Sequence, residues 1–244
     1  MTVPGLRKVD ITRLRTGVDL QLRRMRQALG SGMKRIGWKV GINVPEIQAR
    51  MGLPHAAVGW LHGDHLLRSG ETFRRPSGAR LHVEPELALR IGRRVDAPCS
   101  AENARACIAA IHPALELVDY ARPTTSLDEI LAHGMFHAAT VLGAELPVDR
   151  LDAPIAVASL QIGDQVQTQS RDDLVPTDPG ETVAFVAEFL AAFGETLDAG
   201  DLILCGSYLS QACPIGAGEI ALARIGPAGE VWVRIADSAA QALE

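Results

Sequence analysis

The segment RLHVEPELALRIG, residues 80 to 92, sets two acidic side chains into a run that otherwise alternates like a buried strand. Successive strand side chains point to opposite faces, so Leu81, Val83, Pro85, Leu87, Leu89 and Ile91 share one face. His82, Glu84, Glu86, Ala88 and Arg90 share the other. The two carboxylates are then roughly 6.5 Å apart along the backbone. That spacing lets both converge on one cation and sets them against each other without one. About thirty residues on, ALELVDY carries Glu116 in a second apolar strand, with Asp119 just beyond it. Glu84, Glu86 and Glu116 together would make an all-oxygen cage. Such a cage suits Mg²⁺, Mn²⁺ or Ca²⁺, whereas zinc and copper prefer His and Cys donors, which have no ligand-like spacing here. An E-x-E pair alone is also the ordinary pattern of a solvated strand face, so its meaning depends on its company.

Part of that company is Lys39, one of only three lysines, set in the glycine-flanked apolar segment IGWKVGIN. A lysine there is either a snorkelling surface residue or a desolvated acid/base with an anion partner. Burial and a cation would pull its pKa down and three nearby carboxylates would push it up, so the sequence leaves its charge open.

The elements that must position these groups follow from periodicity and punctuation. Apolar residues at Ile11, Leu14, Val18, Leu22, Met25 and Leu29 predict a helix over about residues 10 to 29, stopped at Gly30. IGWKVGIN reads as a short strand, PEIQARMGLP as a short helical or looped excursion, and the region through VGWLHGDHLL as a mouth or lid. After the Glu84 strand come a helix capped by Ser100 and the strand HPALELVDY. SLDEILAHGMFHAATVLG opens with Ser126 and Glu129 in capping-box spacing, which predicts a helix and then a strand, with His137 counted on the helix. VASLQIGDQVQTQS reads as a hairpin around Gly-Asp. TDPGETVAFVAEFLAAFG has Asp178 as cap, Pro179 at the first helical position and Gly194 as stop. GDLILCGS and GEIALARIGPAGEVWVRI supply further strands and a second hairpin. Helices inserted among predominant strands, without regular alternation, predict an α+β fold.

Composition narrows the function classes. At 244 residues, 47% hydrophobic and 22% charged, the chain can bury a full core, and a single domain over 1–244 with an N-terminal helical segment at about 1–34 is expected. A net charge of −5 gives no basic stripe for nucleic acid or an anionic membrane surface. The first residues lack the apolar core of a signal peptide, and VAFVAEFLAAFG is too short to span a bilayer, so a cytoplasmic, membrane-free protein is expected. Cys99, Cys107, Cys205 and Cys213 form no CxxC pair and read as small hydrophobes or incidental thiols.

Taken in order, GWKVGIN, VGWL, HVEPELALRIG, PALELVD, FHAATVLG, GDLILCGS and PIGAGE resemble the 2-keto-4-pentenoate hydratase branch of the fumarylacetoacetate hydrolase superfamily, which also holds the oxalocrotonate decarboxylases. The resemblance runs over about residues 35 to 235. It implies a mixed β-roll or β-sandwich with flanking helices, a Mg²⁺ or Mn²⁺ ion, a small 2-oxo or 2-hydroxydienoic acid as substrate, and a homo-oligomer. Carried over residue by residue, it places the metal carboxylates at Glu84, Glu86 and Glu116 and the active-site lysine at Lys39. It places substrate contacts at Lys39, Gly59, Trp60 and Leu61.

The chain departs from this pattern twice. The hydratases carry an acid two residues before the glycine matching Gly59, where this chain has Ala57. Where they have a small serine-rich segment, this chain has Phe136 and His137, and His137 is the candidate replacement acid/base. The leading expectation is a hydratase working through an enolate that the ion stabilises, with Lys39 orienting the carboxylate or relaying protons. Decarboxylation of a 2-oxo-3-enedioate comes second. C–C hydrolysis of an acylpyruvate, with Glu46 and His55 or His62 as a catalytic pair, comes third, and a non-catalytic binding subunit last.

Overall fold

A computed structural model describes residues 9–152, 157–169 and 178–238. Residues 1–8 of the expected N-terminal segment, together with Ser170 and Thr177 at the edges of two predicted elements, lie outside that range. The strands are β1 (Arg35–Gly41), β2 (Ala57–His62), β3 (Leu66–Arg68), β4 (Thr72–Arg75), β5 (Leu81–Ile91), β6 (Ile108–Asp119), β7 (His137–Leu142), β8 (Ala158–Ile162), β9 (Gln165–Gln169), β10 (Leu202–Leu204), β11 (Cys213–Pro214), β12 (Ile220–Ile225) and β13 (Gly229–Asp237). The α-helices are α1 (Arg15–Gly30), α2 (Pro45–Met51), α3 (Ala101–Arg105), α4 (Leu127–Ala132) and α5 (Pro179–Ala192).

The larger sheet has the order β2-β1-β10-β5-β6-β7-β3, with β11 added beside β5, and the smaller has the order β4-β13-β12-β8-β9. Parallel pairs (β1 with β10, β3 with β7, β4 with β13) occur within largely antiparallel sheets, which is the mixed α+β arrangement expected from the sequence. β5 keeps the two faces that alternation predicts, with Glu86 and Ala88 of the second face buried as well. Leu81 and Val83 join Leu115, Leu117 and Val141 of the larger sheet against Leu160, Ala221, Val231 and Val233 of the smaller one. Leu87, Leu89 and Ile91, farther along the same face, enter a second core with Val18 and Leu22 of α1 and Val183, Val186 and Phe189 of α5. One face of β5 is thus spent on two cores, and the other carries the carboxylates and, at Ala88, joins a third core with Leu61, Ala114, Leu202 and Leu204.

Several local predictions carry through. Ser100 accepts a hydrogen bond from the Asn103 amide, and Asp178 accepts from Gly180 and Glu181, so both act as the expected helix caps. Ser126 accepts from the Glu129 amide at 3.4 Å, but the Glu129 carboxylate takes the Thr124 hydroxyl instead of closing the reciprocal half of a capping box. Two boundaries differ from the periodicity. The first helix begins at Arg15, because Asp10 Oδ1 accepts both the amide and the hydroxyl of Thr12 and holds the preceding residues in a turn. His137 starts β7 and is not on a helix, because Gly134, Met135 and Phe136 all have positive φ (61°, 54° and 66°) and end α4's path abruptly.

Candidate active site

β5 and β6 pair antiparallel with Glu84 directly opposite Glu116, so two of the carboxylates are cross-strand neighbours and Glu86 lies one pleat along. Each of Glu84, Glu86 and Glu116 offers an oxygen within 4.8 Å of the others'. Glu86 and Glu116 are each 1% exposed, and Glu84 is half-buried. Like charges opposite one another in a sheet are destabilising unless something balances them. Part of the balance is Lys39, 3% exposed on β1, whose ammonium forms an ion pair with Glu116 Oε1 and lies 3.5 Å from the Met135 carbonyl. With all three ionised, three carboxylates against one ammonium would leave two negative charges uncompensated.

The protonation states record that imbalance. Burial, then the field of Glu116, pushes Glu84 up to about 7, with Lys39 and the Ser207 hydroxyl opposing. Glu86 is raised well above the usual carboxylate range by burial and by both neighbouring carboxylates, although the Gly206 amide donates to its Oε2 at 2.8 Å. Glu116 goes the other way. Burial opposes its charge, but Lys39 and the hydrogen bond from His137 hold it down at about 2. For Lys39 burial likewise opposes the charge, and the carboxylates outweigh it, so the ammonium is retained. The arrangement is a preformed set of hard oxygen donors short of positive charge, and a divalent cation fits both its chemistry and its deficit.

These groups form the floor of a cavity of about 480 Å³. Its wall carries Ile42, Val44 and Ile47 beside Met135, Phe136 and Leu209, giving a largely apolar approach to a charged floor. Arg50, in the last turn of α2, is at the rim. Ile42, Met135 and Phe136 all have positive φ, a conformation that costs these residues energy and that clusters here at the cavity. Gly206, at φ 97°, supports the floor: its amide reaches Glu86, and a Cβ there would lie 2.8 Å from Asn43.

Of the residues singled out in the sequence, Lys39, Glu84, Glu86 and Glu116 come together at the cavity. Gly59, Trp60 and Leu61 lie outside its lining. Gly59 pairs with Lys39 across β2 and β1, and its missing side chain leaves room for the Lys39 stem and the Met135 methyl, so it supports the lysine from behind. Trp60 is anchored by its amide to Gln21 Oε1, and Leu61 is fully buried. Ala57 is also fully buried, in the core beside α1. His137 stands behind Glu116, its Nδ1 2.8 Å from Oε1, and does not line the cavity. The Glu46 and His55 pair is not assembled, because His55 is fully buried with Nδ1 on the Ala56 carbonyl and Nε2 accepting from the Asp10 amide. His62 packs against His65 and His137, off the cavity. Sequence reasoning missed His82 and Tyr120, whose rings pair at 4.8 Å on the cavity wall. His82 had a signal, since it shares the polar face of β5 with both glutamates. Tyr120 had none beyond following Asp119.

The two-sheet fold thus sets a buried triple-carboxylate floor beneath a largely apolar cavity. Residues 38–237 match the family model described as fumarylacetoacetate (FAA) hydrolase, C-terminal, and the chain belongs to that family. It is 24% identical over 206 residues to the 4-oxalocrotonate decarboxylase of Pseudomonas sp., covering 84% of this chain and 80% of the relative. It is 25% identical over 185 residues to 2-keto-4-pentenoate hydratase 1 of Dechloromonas aromatica, covering 73% and 70%. The structure of 4-oxalocrotonate decarboxylase from Pseudomonas putida G7, complexed with magnesium and adipate, superposes with a TM-score of 0.81 at 20% identity, covering 92% of this chain and 86% of that one. No helix among the described residues is long and apolar enough to cross a membrane.

Proposed function

We propose that this protein is a divalent-metal-dependent lyase acting on an unsaturated 2-oxo acid, with Glu84, Glu86 and Glu116 holding Mg²⁺ or Mn²⁺. The observation that carries the reading is the charge-deficient triad beneath an apolar cavity of ligand size. The names of the relatives, hydratases and a decarboxylase of small unsaturated acids, support the same class. A divalent ion there would act as a Lewis acid toward the carboxylate and 2-oxygen of the substrate and favour enolate formation at that end.

Lys39 reaches the floor from the opposite strand and keeps its proton, so it can orient a substrate carboxylate or return a proton to the enolate carbon. The apolar part of the wall, Ile42, Val44, Ile47, Met135, Phe136 and Leu209, would pack along the substrate chain. Carbon dioxide loss from a 2-oxo-3-enedioate fits this wall better than water addition does. The C5–C6 bond breaks, its electron pair moves through the alkene to the 2-oxygen, and no water needs activating. The two positions from which hydration would draw an acid do not reach the cavity: Ala57 is in the core and His137 is behind Glu116. Hydration is the second reading, favoured by His82 and Tyr120 as polar groups on the wall.

Carbon-3 deuterium uptake into 2-oxopentanoate in D₂O, followed by NMR, tests whether the site stabilises an enolate, the species common to both final steps. Exchange is expected with Mg²⁺ or Mn²⁺ and none with excess chelator. Equal exchange in both would overturn the metal reading. Product analysis then separates the two final steps, since a 2-oxo-3-enedioate should release CO₂ and a 2-hydroxydienoate should give little 4-hydroxy-2-oxo acid.

Arg50 bears on substrate length. An arginine at the rim suits a second carboxylate at the far end of the substrate. The R50A variant should raise KM for a six-carbon 2-oxo dicarboxylate about 10-fold, within the range for losing a charged hydrogen bond. It should leave KM for a monocarboxylate within about 2-fold, and equal effects on both would remove Arg50 from recognition.

The raised carboxylates also fix a pH dependence. Glu84 and Glu86 hold protons more tightly in the folded chain than in the unfolded one. The metal-free protein should therefore lose stability as pH rises from about 4.5 through about 7, and Glu84 alone contributes on the order of 3 kcal/mol. The ion must displace those protons, so Mn²⁺ affinity should rise across the same window with proton release. Calorimetry in buffers of different ionisation enthalpy measures that release, and a pH-independent affinity with no proton release would contradict it.

A further inference from the structure

His137 was expected to be an acid/base, and its surroundings assign it a different part. Its Nδ1 lies 2.8 Å from Glu116 Oε1. The same oxygen pairs with the Lys39 ammonium, so this carboxylate acts as the acceptor and the shared proton belongs to Nδ1. Nε2 is buried with no hydrogen-bond partner among the described residues, so none of them offers the ring an outlet through which to exchange a proton with substrate. The ring is clamped from behind. His62, at the end of β2, meets it edge-to-face at 5.2 Å, and His65 meets His62 in the same way at 5.1 Å. His65 is itself tied through Nδ1 to the Ala138 carbonyl at 2.6 Å. The clamp comes from His62 at the end of β2 and His65 in the turn that follows, and it packs against one side chain on β7.

The oxygen His137 contacts is the same one that receives the Lys39 ammonium. Two donors from opposite sides, β1 and β7, therefore occupy Oε1 and leave Oε2 as the free acceptor of Glu116. We infer that His137 is a positioning residue: as an Nδ1–H donor it fixes the rotation of the Glu116 carboxylate so that Oε2 is presented to the cation. This rests on the metal reading above. The His62 and His65 rings are the packing that keeps the donor in place.

Asparagine and glutamine separate this role from simple packing. H137N puts an amide N–H near the position of Nδ1, whereas H137Q fills more of the ring's volume but moves its N–H toward the position of Nε2. Titration of the metal-free proteins with Mn²⁺, by calorimetry and by the electron paramagnetic resonance of free Mn²⁺, reads the result without turnover. Expected are one ion per wild-type chain, affinity weakened about 10- to 100-fold in H137A and H137Q, and affinity within about 3-fold of wild type in H137N. Glutamine rescuing as well as or better than asparagine would mean packing alone and would overturn the inference. A wild-type chain that binds no Mn²⁺ would instead remove the metal reading on which it rests. Nitrogen-15 NMR of the wild-type imidazole supplies a check free of any variant's folding: the His137 proton is expected on Nδ1, and a proton on Nε2 would overturn the proposal.

Discussion

Replacing Lys39 by methionine should destabilise the metal-free protein by about 3 to 5 kcal/mol at pH 8, the range for a buried ion pair broken from one side. The methionine keeps the unbranched stem that packs beside Gly59 and Met135, so the loss is that of the charge. Without the ammonium, Glu116 keeps only the His137 hydrogen bond, and three carboxylates remain on the floor with no cation paired to them among the described residues. Two consequences distinguish this from a packing defect. The deficit should shrink markedly at pH 5, where Glu84 and Glu86 are protonated and repel less. The double variant K39M/E116Q should recover much of the loss, because it removes both members of the pair. Urea unfolding of wild type, K39M, E116Q and the double variant at the two pH values measures all of this. Equal midpoints for wild type and K39M at pH 8 would mean the pair carries no weight in the fold. Turnover should fall in K39M even with saturating ion, since the group that orients or protonates substrate is gone.

Period-two alternation was sufficient to put Glu84 and Glu86 on one face of β5 and to bury the opposite face, because a strand's side-chain direction is local geometry. Glu116 was readable for the same reason. What alternation cannot give is register, and it is the pairing of β5 with β6 that sets Glu84 opposite Glu116 and not one pleat away. Lys39 was visible as an anomaly of composition and neighbours, but its attachment to Glu116 depends on β10 intervening between β1 and β5, a topological fact encoded far along the chain. His137 was misread because the capping signal at Ser126 suggests a longer helix than α4. The turn that ends it uses positive φ at Met135 and Phe136, residue types that carry no turn signature. The placement of Gly59, Trp60 and Leu61 depends on which side of β1 the lysine stem leaves, which no local pattern encodes. Gly206 was legible as a glycine, but not as the residue whose amide would find a glutamate 120 positions away.

Glu86→Gln is expected to act in opposite directions on stability and on function. The substitution is nearly isosteric, and the glutamine carbonyl can still accept the Gly206 amide, so what is lost is one buried negative charge. That charge has no ammonium of its own, since Lys39 is committed to Glu116. At alkaline pH, where Glu86 is ionised, the metal-free variant should be the more stable, because the raised carboxyl gives up its proton at a cost to the fold that the amide does not carry. The gain should vanish near pH 5, where the wild-type carboxyl is already protonated. The same change removes one of three anionic donors, so Mn²⁺ affinity should fall at least about 100-fold. The wild type in Mn²⁺ at a hundred times its Kd gains about 2.7 kcal/mol, and the variant at that concentration should gain well under 1 kcal/mol. Thermal melts with and without the ion therefore cross: the variant melts higher without metal and lower with it, and carbon-3 exchange is lost throughout. A destabilised metal-free variant would mean that Glu86 is a satisfied structural carboxylate. An undiminished shift with Mn²⁺ would mean that the ion binds elsewhere, and either result would dismantle the argument that the triad's surplus charge exists to be met by a cation.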